Sequence, residues 1–345
     1  MLLHPHDWSL AQQIDRVLMT LPGGLSDRVT PETHKSVLEL ATGVHSTVAG
    51  IAAELRESRR SLEMQLSLLG LRAAAAGTHP FTVWHETVVS TGGRYEMVYG
   101  SMRELARREP TFALHVHVGV RDPEHAIRTA DRLRAHMPLF LALSANSPFW
   151  QGRDTGLASA RTPLFQAFPR VGIPRAFGSY AEYVETVDLL IRCEAFPEPT
   201  FLWWDVRPQP RFGTVEVRIM DVQATIDQTV PLVALVQCLV RMHAERGGPS
   251  SAPEVLEENR FLAARDGVEA ELISPDYERR IPVRQLVEEL LEVLYPHAQD
   301  LRCENELSGV AELLMWPASA RQVEFARTSG LRGLVEELAR QYVAD

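Results

Sequence analysis

Two histidines spaced two residues apart are the first candidates for chemistry in this sequence. His115 and His117 lie in the segment FALHVHVGVRD, and hydrophobic residues separate and flank them. Alternate residues of a strand point to the same face, so both imidazoles would share one face of the sheet. Imidazole binds metals and carries protons near neutral pH. The spacing therefore predicts a strand over residues 112–120 with a chemically active polar face.

The same alternation returns in two later segments, which are expected to form strands near 201–207 and 213–221. Asp205 and Arg207 share one face of FLWWDVRP, and Glu216 and Arg218 share one face of FGTVEVRIMD. An antiparallel sheet with one wet side is the ordinary interpretation. However, carboxylates and imidazoles hold cations, and arginines bind phosphates or carboxylates. These side chains together indicate the floor of a site for a metal and an anion.

Two acidic residues upstream are candidates for the same site. Glu32 and Glu39 lie seven residues apart, which is about two helical turns, so on a helix both would face the same way. Residues 34–76 keep apolar residues at three-four spacing and are expected to form one or two amphipathic helices. A capping acid and a solvated acid are the alternative, but Leu38 and Leu40 flank Glu39 and disfavour full exposure.

The remaining elements follow from periodicity and from glycine and proline. Residues 147–178 are rich in glycine and proline, and a loop of this length is expected to belong to an active site. Helices are expected at 123–146 (two, the second opened by Pro138), at 179–193, and through most of the chain beyond about 226, with a break at 247–253.

The composition restricts the class of protein. The chain has 345 residues, of which 45% are apolar and 23% charged, and its net charge is −10. This acidic balance disfavours a nucleic-acid surface. Lys35 is the single lysine, so anions would be bound by arginine and backbone amides. We expect Cys193, Cys238 and Cys303 to be reduced and structural, and we expect a cytoplasmic protein without a signal peptide or membrane span.

Seven segments, taken in order, strongly resemble the carboxylate–amine ligase family, also called type 2 glutamate–cysteine ligases. They are ETHKSVLELATGVH, GTHPF, HVHVGVRD, LALSANSPFWQGRDTGLASAR, GIPRAF, WWDVRPQPRFGTVEVRIMD and ENRFLAARDGVEAEL. The resemblance runs from about residue 25 to 345. It implies an α+β fold like the glutamine synthetase catalytic core, in which helices flank a curved antiparallel sheet. It also implies a single catalytic domain over residues 1–345 with a mostly helical C-terminal part.

The resemblance implies a reaction as well. Members of the family use ATP to convert a carboxylate into an acyl phosphate, and an amine then attacks to form an amide. Magnesium ions bridge the nucleotide phosphates and the acyl group. Glutamate and cysteine are the substrates that the family name implies, and a homodimer is expected from the same likeness. Phosphoryl transfer of this kind depends on metals and arginines around spreading negative charge.

Roles for individual residues follow from the resemblance. The metal ligands would be Glu32, Glu39, Glu216 and His115. The nucleotide would be bound by His115, His117 and Arg218. The catalytic and substrate-binding residues would be Arg218, Arg161, Arg207 and Asp205. Magnesium prefers carboxylate oxygen, so one imidazole is more acceptable than two, and His115 ranks above His117. His79, Thr155 and Ser159 lie in family-like segments without an assigned role.

One segment of the family pattern does not match. Members open with a strand of the form Gly-x-Glu-x-Glu, whereas this sequence begins MLLHPHDW, which resembles the far end of that strand. No other Glu-x-Glu in a strand context replaces it, since Glu269 and Glu271 lie in a segment that looks helical. Either the natural start lies upstream, or the chain is a weakened homologue that binds nucleotide or substrate without efficient turnover.

A metal-dependent amidohydrolase is a further alternative, because His-x-His also opens the barrel of parallel strands in those enzymes. They often use a later lysine and further histidines as ligands. Lys35 precedes the His-x-His here, and His243 and His297 lie in helical patterns. This alternative is therefore disfavoured.

Overall fold

The computed structural model describes residues 1–107, 110–245, 251–274 and 277–344. The N-terminal third forms β1 (Leu2–Leu3), α1 (Ile14–Leu18), α2 (Gly23–Ser26), β2 (Val29–Pro31), β3 (Leu38–Leu40), α3 (Val48–Leu68), β4 (Arg72–Ala73) and α4 (Gly93–Met102). The middle forms β5 (Ala113–Gly119), α5 (Pro123–Leu133), α6 (Met137–Ser144), β6 (Phe149–Trp150), β7 (Arg153–Asp154), α7 (Arg161–Phe165), β8 (Val171–Gly172), α8 (Tyr180–Arg192), β9 (Trp203–Trp204), β10 (Val206–Gln209) and β11 (Thr214–Asp221). The last third forms α9 (Ile226–Glu245), α10 (Pro253–Asp266), β12 (Glu271–Ser274), β13 (Arg279–Pro282), α11 (Val283–Leu301), α12 (Glu304–Ser308), α13 (Val310–Met315) and α14 (Ala318–Tyr342).

Three antiparallel strands in the order β10–β11–β5 form the sheet that carries the predicted polar face. The register places Val217 opposite Val206 on one side and Val116 on the other. It shifts between Val217 and Met220, where β11 contains a bulge against β5. A bulge bends the strand and raises its twist, and this gives the sheet local curvature.

The apolar face of this sheet packs against helices. Val116, Val215 and Val217 are buried in one hydrophobic cluster with residues of α6 and α9. Hydrophobic burial on one face forces the alternate residues to the other face, since strand side chains have a period of two. The polar face predicted from the sequence is therefore set by the core beneath it. The α+β class with an antiparallel sheet flanked by helices is confirmed.

Backbone hydrogen bonds connect the shorter strands to this sheet. Phe112 N donates to Gly77 O at 2.9 Å, and Leu2 N donates to Ser36 O at 2.8 Å. Because β1 also pairs with β4, the N-terminal strands are connected through β4 to β5. The antiparallel pairing of β5 excludes the barrel of parallel strands that an amidohydrolase would need, so that alternative is wrong.

The expected helices over 34–76 are wrong for the first part of this range. Residues before 41 form a hairpin in which β2 pairs with β3, with Thr30 opposite Glu39. The reason is the local period, since Leu38 and Leu40 alternate with Glu39 as in a strand. The helix α3 starts only after Thr47, whose side chain accepts a hydrogen bond from Gly50 N and caps it.

Most of the other predicted elements are confirmed. The strand at 112–120, the two helices at 123–146 with Pro138 in the first turn of the second, and the helix at 179–193 match β5, α5, α6 and α8. The predicted strand at 201–207 is broken at Asp205 into β9 and β10, and β9 pairs in parallel with β8. The long loop at 147–178 contains short elements between irregular segments.

The C-terminal part is mostly helical, as expected, with one exception. Glu271 starts the hairpin β12–β13, so the helical interpretation of this segment is wrong. The predicted break at 247–253 falls largely on residues 246–250, which lie outside the described residues. In the described part of the chain, no helix is long and apolar enough to cross a membrane.

Candidate active site

A row of three side chains crosses the sheet at the centre of the polar face. His117 on β5 lies opposite Glu216 on β11, and Glu216 lies opposite Arg207 on β10. Directly opposite residues of antiparallel strands have neighbouring side chains on the same face. The structure thus brings together residues that are about 90 positions apart in the sequence, as the alternation pattern predicted.

The carboxylate of Glu216 is held between two guanidinium groups. Arg207 Nε donates to Oε2 at 2.7 Å, and Arg218 Nη1 donates to Oε1. Burial acts to raise the pKa of Glu216, which is 2% exposed, but Arg218, a hydrogen bond from His117 and Arg207 together hold that pKa far below its usual range. Glu216 is therefore ionised at every pH at which the protein is expected to work.

The two histidines differ in their surroundings. His115 Nδ1 accepts a hydrogen bond from Arg218 Nη1 at 3.3 Å, so its Nε2 carries the proton. Burial and the positive charge of Arg218 place the pKa of His115 well below its usual value, and the ring is neutral. His117 Nδ1 contacts Thr214 Oγ1 at 2.9 Å, and its ring meets Phe212 edge to face. His115 thus offers a neutral N–H donor, and His117 lies nearer the open edge of the strand pair.

Arg218 has unused hydrogen-bonding capacity in this cluster. Its side chain is 14% exposed, and its Nε is buried without a hydrogen-bond partner among the described residues. A buried N–H without an acceptor costs free energy unless a ligand supplies one. Arginine presents its donors in a planar fork that matches carboxylate and phosphate oxygens. The arrangement fits an anion placed against Arg218.

The two upstream acids face this cluster from the β2–β3 hairpin. Glu39 is in β3, and Glu32 follows β2 and accepts a hydrogen bond from Thr33 N. Desolvation by the surrounding residues, and then the charge of Glu32, raise the pKa of Glu39, and Glu216 acts in the same direction, whereas Arg218 opposes the rise. The predicted proximity of Glu32 and Glu39 is therefore observed, although a hairpin and not a helix produces it. A cation would relieve this crowding of negative charge.

Two further residues, Tyr95 and Lys35, lie at the hairpin. Tyr95 on α4 donates its hydroxyl to Pro31 O at 2.6 Å, and burial, with the charge of Glu32, raises the pKa of Tyr95 to about 12. Tyr95 was not among the residues predicted from the sequence, because nothing in its segment indicates a return to the hairpin. Lys35 lies between the two acids in the sequence but turns away from them, and its ammonium pairs with Asp15 at 2.7 Å.

Arg161 lies beneath the cluster and holds the bulge of β11. Its Nη1 donates to Ile219 O at 2.9 Å and its Nη2 to Arg218 O at 3.3 Å, and its guanidinium pairs with the buried Asp221. These carbonyls belong to the residues where the register shifts. The resemblance implied that Arg161 helps to shape the substrate pocket, and that role stays a prediction. The observed contacts support a positioning role, in which Arg161 fixes the backbone that carries Arg218.

Asp205 also makes contacts that connect elements of the fold. Its Oδ2 accepts a hydrogen bond from Arg260 Nε at 2.7 Å, and both side chains are buried. Its backbone O accepts from Arg218 N at 2.8 Å, so it connects α10 to β11. Arg260 was not predicted, although it lies in the segment ENRFLAARDG. A charged residue that is spaced so as to lie on the buried face of α10 is the signal that could have revealed it.

The three residues without an assigned role are structural in this arrangement. His79 accepts hydrogen bonds at Nδ1 from Thr82 N and contacts Trp8 O through Nε2, and burial lowers its pKa to about 4. Ser159 Oγ donates to Asp221 Oδ1 at 3.1 Å, and Thr155 Oγ1 donates to Pro148 O at 2.8 Å. These contacts hold the loop segments under the sheet.

The carboxylates with free oxygens determine which residues could bind a metal. In the ranges that the structure describes, no group of three histidine, cysteine, aspartate or glutamate side chains could hold a metal by itself. Both oxygens of Glu216 are already occupied by arginines. Glu32 and Glu39 are the carboxylates left to face a cation. Magnesium is commonly bound by one or two carboxylates together with substrate phosphates and water, so this pair fits magnesium brought in with a nucleotide.

Comparison with known proteins agrees with the geometry. The profile described as "Glutamate-cysteine ligase family 2(GCS2)" matches residues 3–327. A protein of Rubrobacter xylanophilus described as "Putative glutamate--cysteine ligase 2-1" is 42% identical over 325 residues, which cover 93% of this chain and 86% of that protein. A "Putative glutamate--cysteine ligase 2" of Sorangium cellulosum is 39% identical over 341 residues, covering 96% and 91%.

Solved structures show the same fold at low sequence identity. Glutamate–cysteine ligase from Francisella tularensis in complex with AMP aligns with a TM-score of 0.69 and 11% identity, covering 100% of this chain and 87% of that one. A bifunctional glutathione synthetase from Pasteurella multocida aligns with a TM-score of 0.63 and 14% identity, covering 92% and 46%. The profile match over nearly the whole chain, together with the two close relatives, confirms the resemblance and shows that the chain belongs to glutamate–cysteine ligase family 2.

Proposed function

We propose that the chain is an ATP-dependent carboxylate–amine ligase that forms an amide through an acyl phosphate, with magnesium. The observation that carries this proposal is the buried Arg218 Nε without an acceptor, next to the Glu216–Arg207 pair and facing the acidic pair Glu32–Glu39. One surface thus offers donors for an anion, and the opposite surface offers acceptors for a cation. A nucleotide bound with its divalent ion needs both. Membership of the ligase family supports the same conclusion.

In the first step, a carboxylate oxygen of the acid attacks the terminal phosphorus of ATP, and ADP departs with the electrons of the broken P–O bond. The transferred phosphoryl group carries its charge on its peripheral oxygens. Arg218 would hold these oxygens through Nε, and neutral His115 would donate through Nε2. The Glu216–Arg207 pair keeps Arg218 in place. Preorganised donors of this kind stabilise the transition state without reorganisation.

In the second step, the amine nitrogen attacks the acyl carbon, the C–O bond to the phosphate breaks, and the departing phosphate takes up the proton that the nitrogen loses. When bound, magnesium would neutralise phosphate charge. Glu32 and Glu39 would hold it, since their crowded charge favours a cation. His117, at the more open part of the face, would contact nucleotide or substrate. The donors that hold the phosphoryl group in the first step are also placed to hold the departing phosphate.

Glutamate as the acid and cysteine as the amine follow from the names of the relatives, and they are the first substrates to test. The side chains of the site do not select them by themselves. Arginine-rich surroundings fit the α-carboxylate of an amino acid. The acid is therefore expected to carry a second carboxylate, and the identity of the amine is left to experiment.

The experiment is ADP release by the 345-residue chain with magnesium and glutamate, with and without cysteine and a panel of small amines. Release that depends on an amine supports the ligase. Release that depends on glutamate but not on any amine would indicate slow hydrolysis of an acyl phosphate. No release in any mixture would contradict turnover by this chain.

A second function is favoured by one observation, that Arg207 and Arg218 occupy both carboxylate oxygens of Glu216, which leaves this residue no free oxygen for a metal. A homologue of this kind would bind nucleotide or substrate without turnover. Equilibrium titration with ATP and magnesium measures nucleotide binding separately from turnover. Binding without ADP release supports the inactive homologue, and neither binding nor release contradicts both.

A further inference from the structure

A cavity whose lining contains none of the side chains of the candidate active site lies at the start of α9. It has a volume of about 400 Å³ and is lined by the start of α9 and by α14, which bends at Gly330 where φ is 69°. Ala224 and Leu338 in its wall belong to a hydrophobic cluster separate from the one beneath β10, β11 and β5. A volume in this range accommodates a small organic molecule.

The floor of the cavity is closed by side-chain hydrogen bonds. Gln322 Nε2 donates to Asn146 O at 3.0 Å and to Asn146 Oδ1 at 2.6 Å. Asn146 N in turn donates to Asp221 Oδ2 at 2.9 Å. Since Asp221 is the partner of Arg161, these residues form a wall between the cavity and the scaffold of the active site. The cavity is therefore distinct from the site in which the ligase reaction is proposed.

Gln228 in the wall has a donor without an acceptor. It forms a capping box with Thr225, in which Gln228 N donates to Thr225 Oγ1 and Thr225 N donates to Gln228 Oε1, both at 3.2 Å. This arrangement fixes the orientation of the amide and leaves Nε2 as the free group. Gln228 is 8% exposed, and its Nε2 has no hydrogen-bond partner among the described residues. A ligand oxygen would satisfy this buried donor.

The rim of the cavity carries one positive and one negative side chain. Glu337 in the wall is already paired, because Arg340 donates to both of its oxygens at 2.7 and 2.5 Å and Gln341 donates a further bond. Arg321 at the rim makes no side-chain hydrogen bond or ion pair with any described residue. Arg321 and Glu324 are both exposed at the rim, so water screens both charges, and the buried Gln228 Nε2 is the group that requires an acceptor.

The remaining surface is apolar. Phe325, Leu334 and Leu338 line the cavity between the two polar groups, and Leu334 and Leu338 are each 2% exposed. A ligand that matches this lining has an acceptor oxygen with negative charge and a hydrocarbon part. A free metal ion would need several oxygen ligands, and an organic cation would lack a partner for Arg321 and Gln228.

We propose that this cavity is a second binding site for a small organic carboxylate with an apolar side group, distinct from the ligase substrates. The carboxylate lies between Gln228 Nε2 and Arg321, and the apolar group packs against Phe325 and the leucines. An amino group on the ligand is tolerated because Glu324 is within the rim. The proposal does not depend on the proposed ligase activity.

The experiment uses three probes of similar shape with the full chain. These are 3-phenylpropanoate, which has the carboxylate, L-phenylalanine, which has carboxylate and amine, and phenethylamine, which has the amine alone. Binding is measured by ligand-observed saturation-transfer NMR and by titration. We expect 3-phenylpropanoate and L-phenylalanine to bind and phenethylamine to bind at least about tenfold more weakly, since a hydrogen bond to a charged group accounts for that ratio.

Two variants test the position of the carboxylate. Gln228→Glu keeps the capping box, because glutamate also serves at that position, but it replaces the free donor with a negative oxygen. Arg321→Ala removes the cation at an exposed position. Each should weaken the binding of 3-phenylpropanoate by about tenfold or more. Arg327→Ala is the matched control, because Arg327 is an exposed arginine of α14 that does not line the cavity, and it should bind like the parent chain.

The outcomes separate this proposal from binding at the active site. Glu216→Gln, and saturating ATP with glutamate, should leave probe binding unchanged. Displacement by glutamate would place the probes in the active site and overturn the proposal. Absence of binding by both carboxylates would also overturn it, and so would binding of 3-phenylpropanoate by Gln228→Glu or by Arg321→Ala that is as tight as binding by the parent chain.

Discussion

At the scale of single residues, Glu216 is the centre of the cluster because its carboxylate compensates two buried guanidinium groups. A buried ion pair contributes little net stability by itself, but removal of one partner leaves the other charge uncompensated in a poorly hydrated place. Glu216 has two such partners, Arg207 and Arg218. Its depressed pKa shows that the folded state strongly favours the ionised form. The residue is therefore needed both for the position of Arg218 and for stability.

We predict that Glu216→Gln abolishes ADP release and lowers the free energy of unfolding by about 3–5 kcal/mol. The chain is expected to remain folded at low temperature, because the core beneath the sheet is unchanged. Glu269→Gln is the matched control, since it breaks an exposed pair with Arg284 and should change stability by less than about 1 kcal/mol. Urea unfolding and ADP release measure the two effects. Full activity of Glu216→Gln would contradict the role of Glu216 in positioning Arg218.

Replacement of Glu39 is expected to change stability in the opposite direction to replacement of Glu216. Its folded pKa is raised above 4.5 by limited hydration and by Glu32 and Glu216. Its contribution to stability is therefore present below pH 4.5 and is lost as the pH rises through the folded pKa. We predict that Glu39→Gln raises the Tm of the ligand-free chain at neutral and alkaline pH, with a gain that disappears in acid. Activity should fall by more than about 100-fold, since a metal ligand is lost.

Thermal unfolding at several pH values and ADP release measure the two effects of Glu39→Gln. A fall in Tm at neutral pH would show that Glu39 is compensated by a partner. Unchanged activity would remove Glu39 from the metal site. The Tm result does not require the nucleotide, because the Tm series is performed on the ligand-free chain.

At the scale of elements, the bulge of β11 determines where Arg218 points. Arg161 bonds the carbonyls of the bulge, and Asp221 neutralises Arg161. We predict that Arg161→Met costs about 3–5 kcal/mol of unfolding free energy, because Asp221 is left as a buried charge without its partner. Arg265→Met is the control, since Arg265 is exposed and its ion pair is with the adjacent Asp266. Similar losses in the two variants, measured by urea unfolding, would contradict this account.

The surroundings of Gly77 explain why the GTHPF segment begins with glycine. A Cβ at this position would lie 2.7 Å from the carboxyl group of Asp221 and 2.9 Å from Ser147 Cβ. We predict that Gly77→Ala destabilises the protein by about 1–3 kcal/mol through this overlap. Gly100→Ala should instead stabilise it by about 0.5–1 kcal/mol, because Gly100 is inside α4 and its Cβ would meet open space. Thermal unfolding of the two alanine variants should therefore move in opposite directions.

The elements also show what the sequence could and could not reveal. Strict alternation in β5 and β11 predicted the polar face correctly, because a buried face fixes the period of a strand. β3 was predicted as part of a helix over 34–76 because three residues are too few for the period of a strand to stand out in the sequence. The ion pairs of Asp205 with Arg260 and of Asp221 with Arg161 could not be predicted, since they depend on tertiary contacts between distant segments.

At the scale of the whole molecule, two cysteines that are 65 residues apart meet in the core. Cys238 in α9 and Cys303 before α12 have their sulfurs 3.6 Å apart, and both are buried, whereas Cys193 is exposed. We predict that Cys193→Ser, Cys238→Ala and Cys303→Ala each retain full ADP release. The two core variants should lose about 1 kcal/mol of stability through a small cavity. Inactivation of one of these variants in a folded protein would indicate thiol chemistry.

Lys35, which pairs with Asp15, has a practical use in the study of the molecule in solution, because it is the single lysine of the sequence. Among the side chains of this sequence there is one primary amine, and it lies in the turn between the strands that carry Glu32 and Glu39. An amine-reactive fluorophore directed at side chains would therefore be attached at a single, known place in the turn of the hairpin, on the side that faces Asp15. Its emission would report nucleotide arrival at the hairpin without any engineered cysteine.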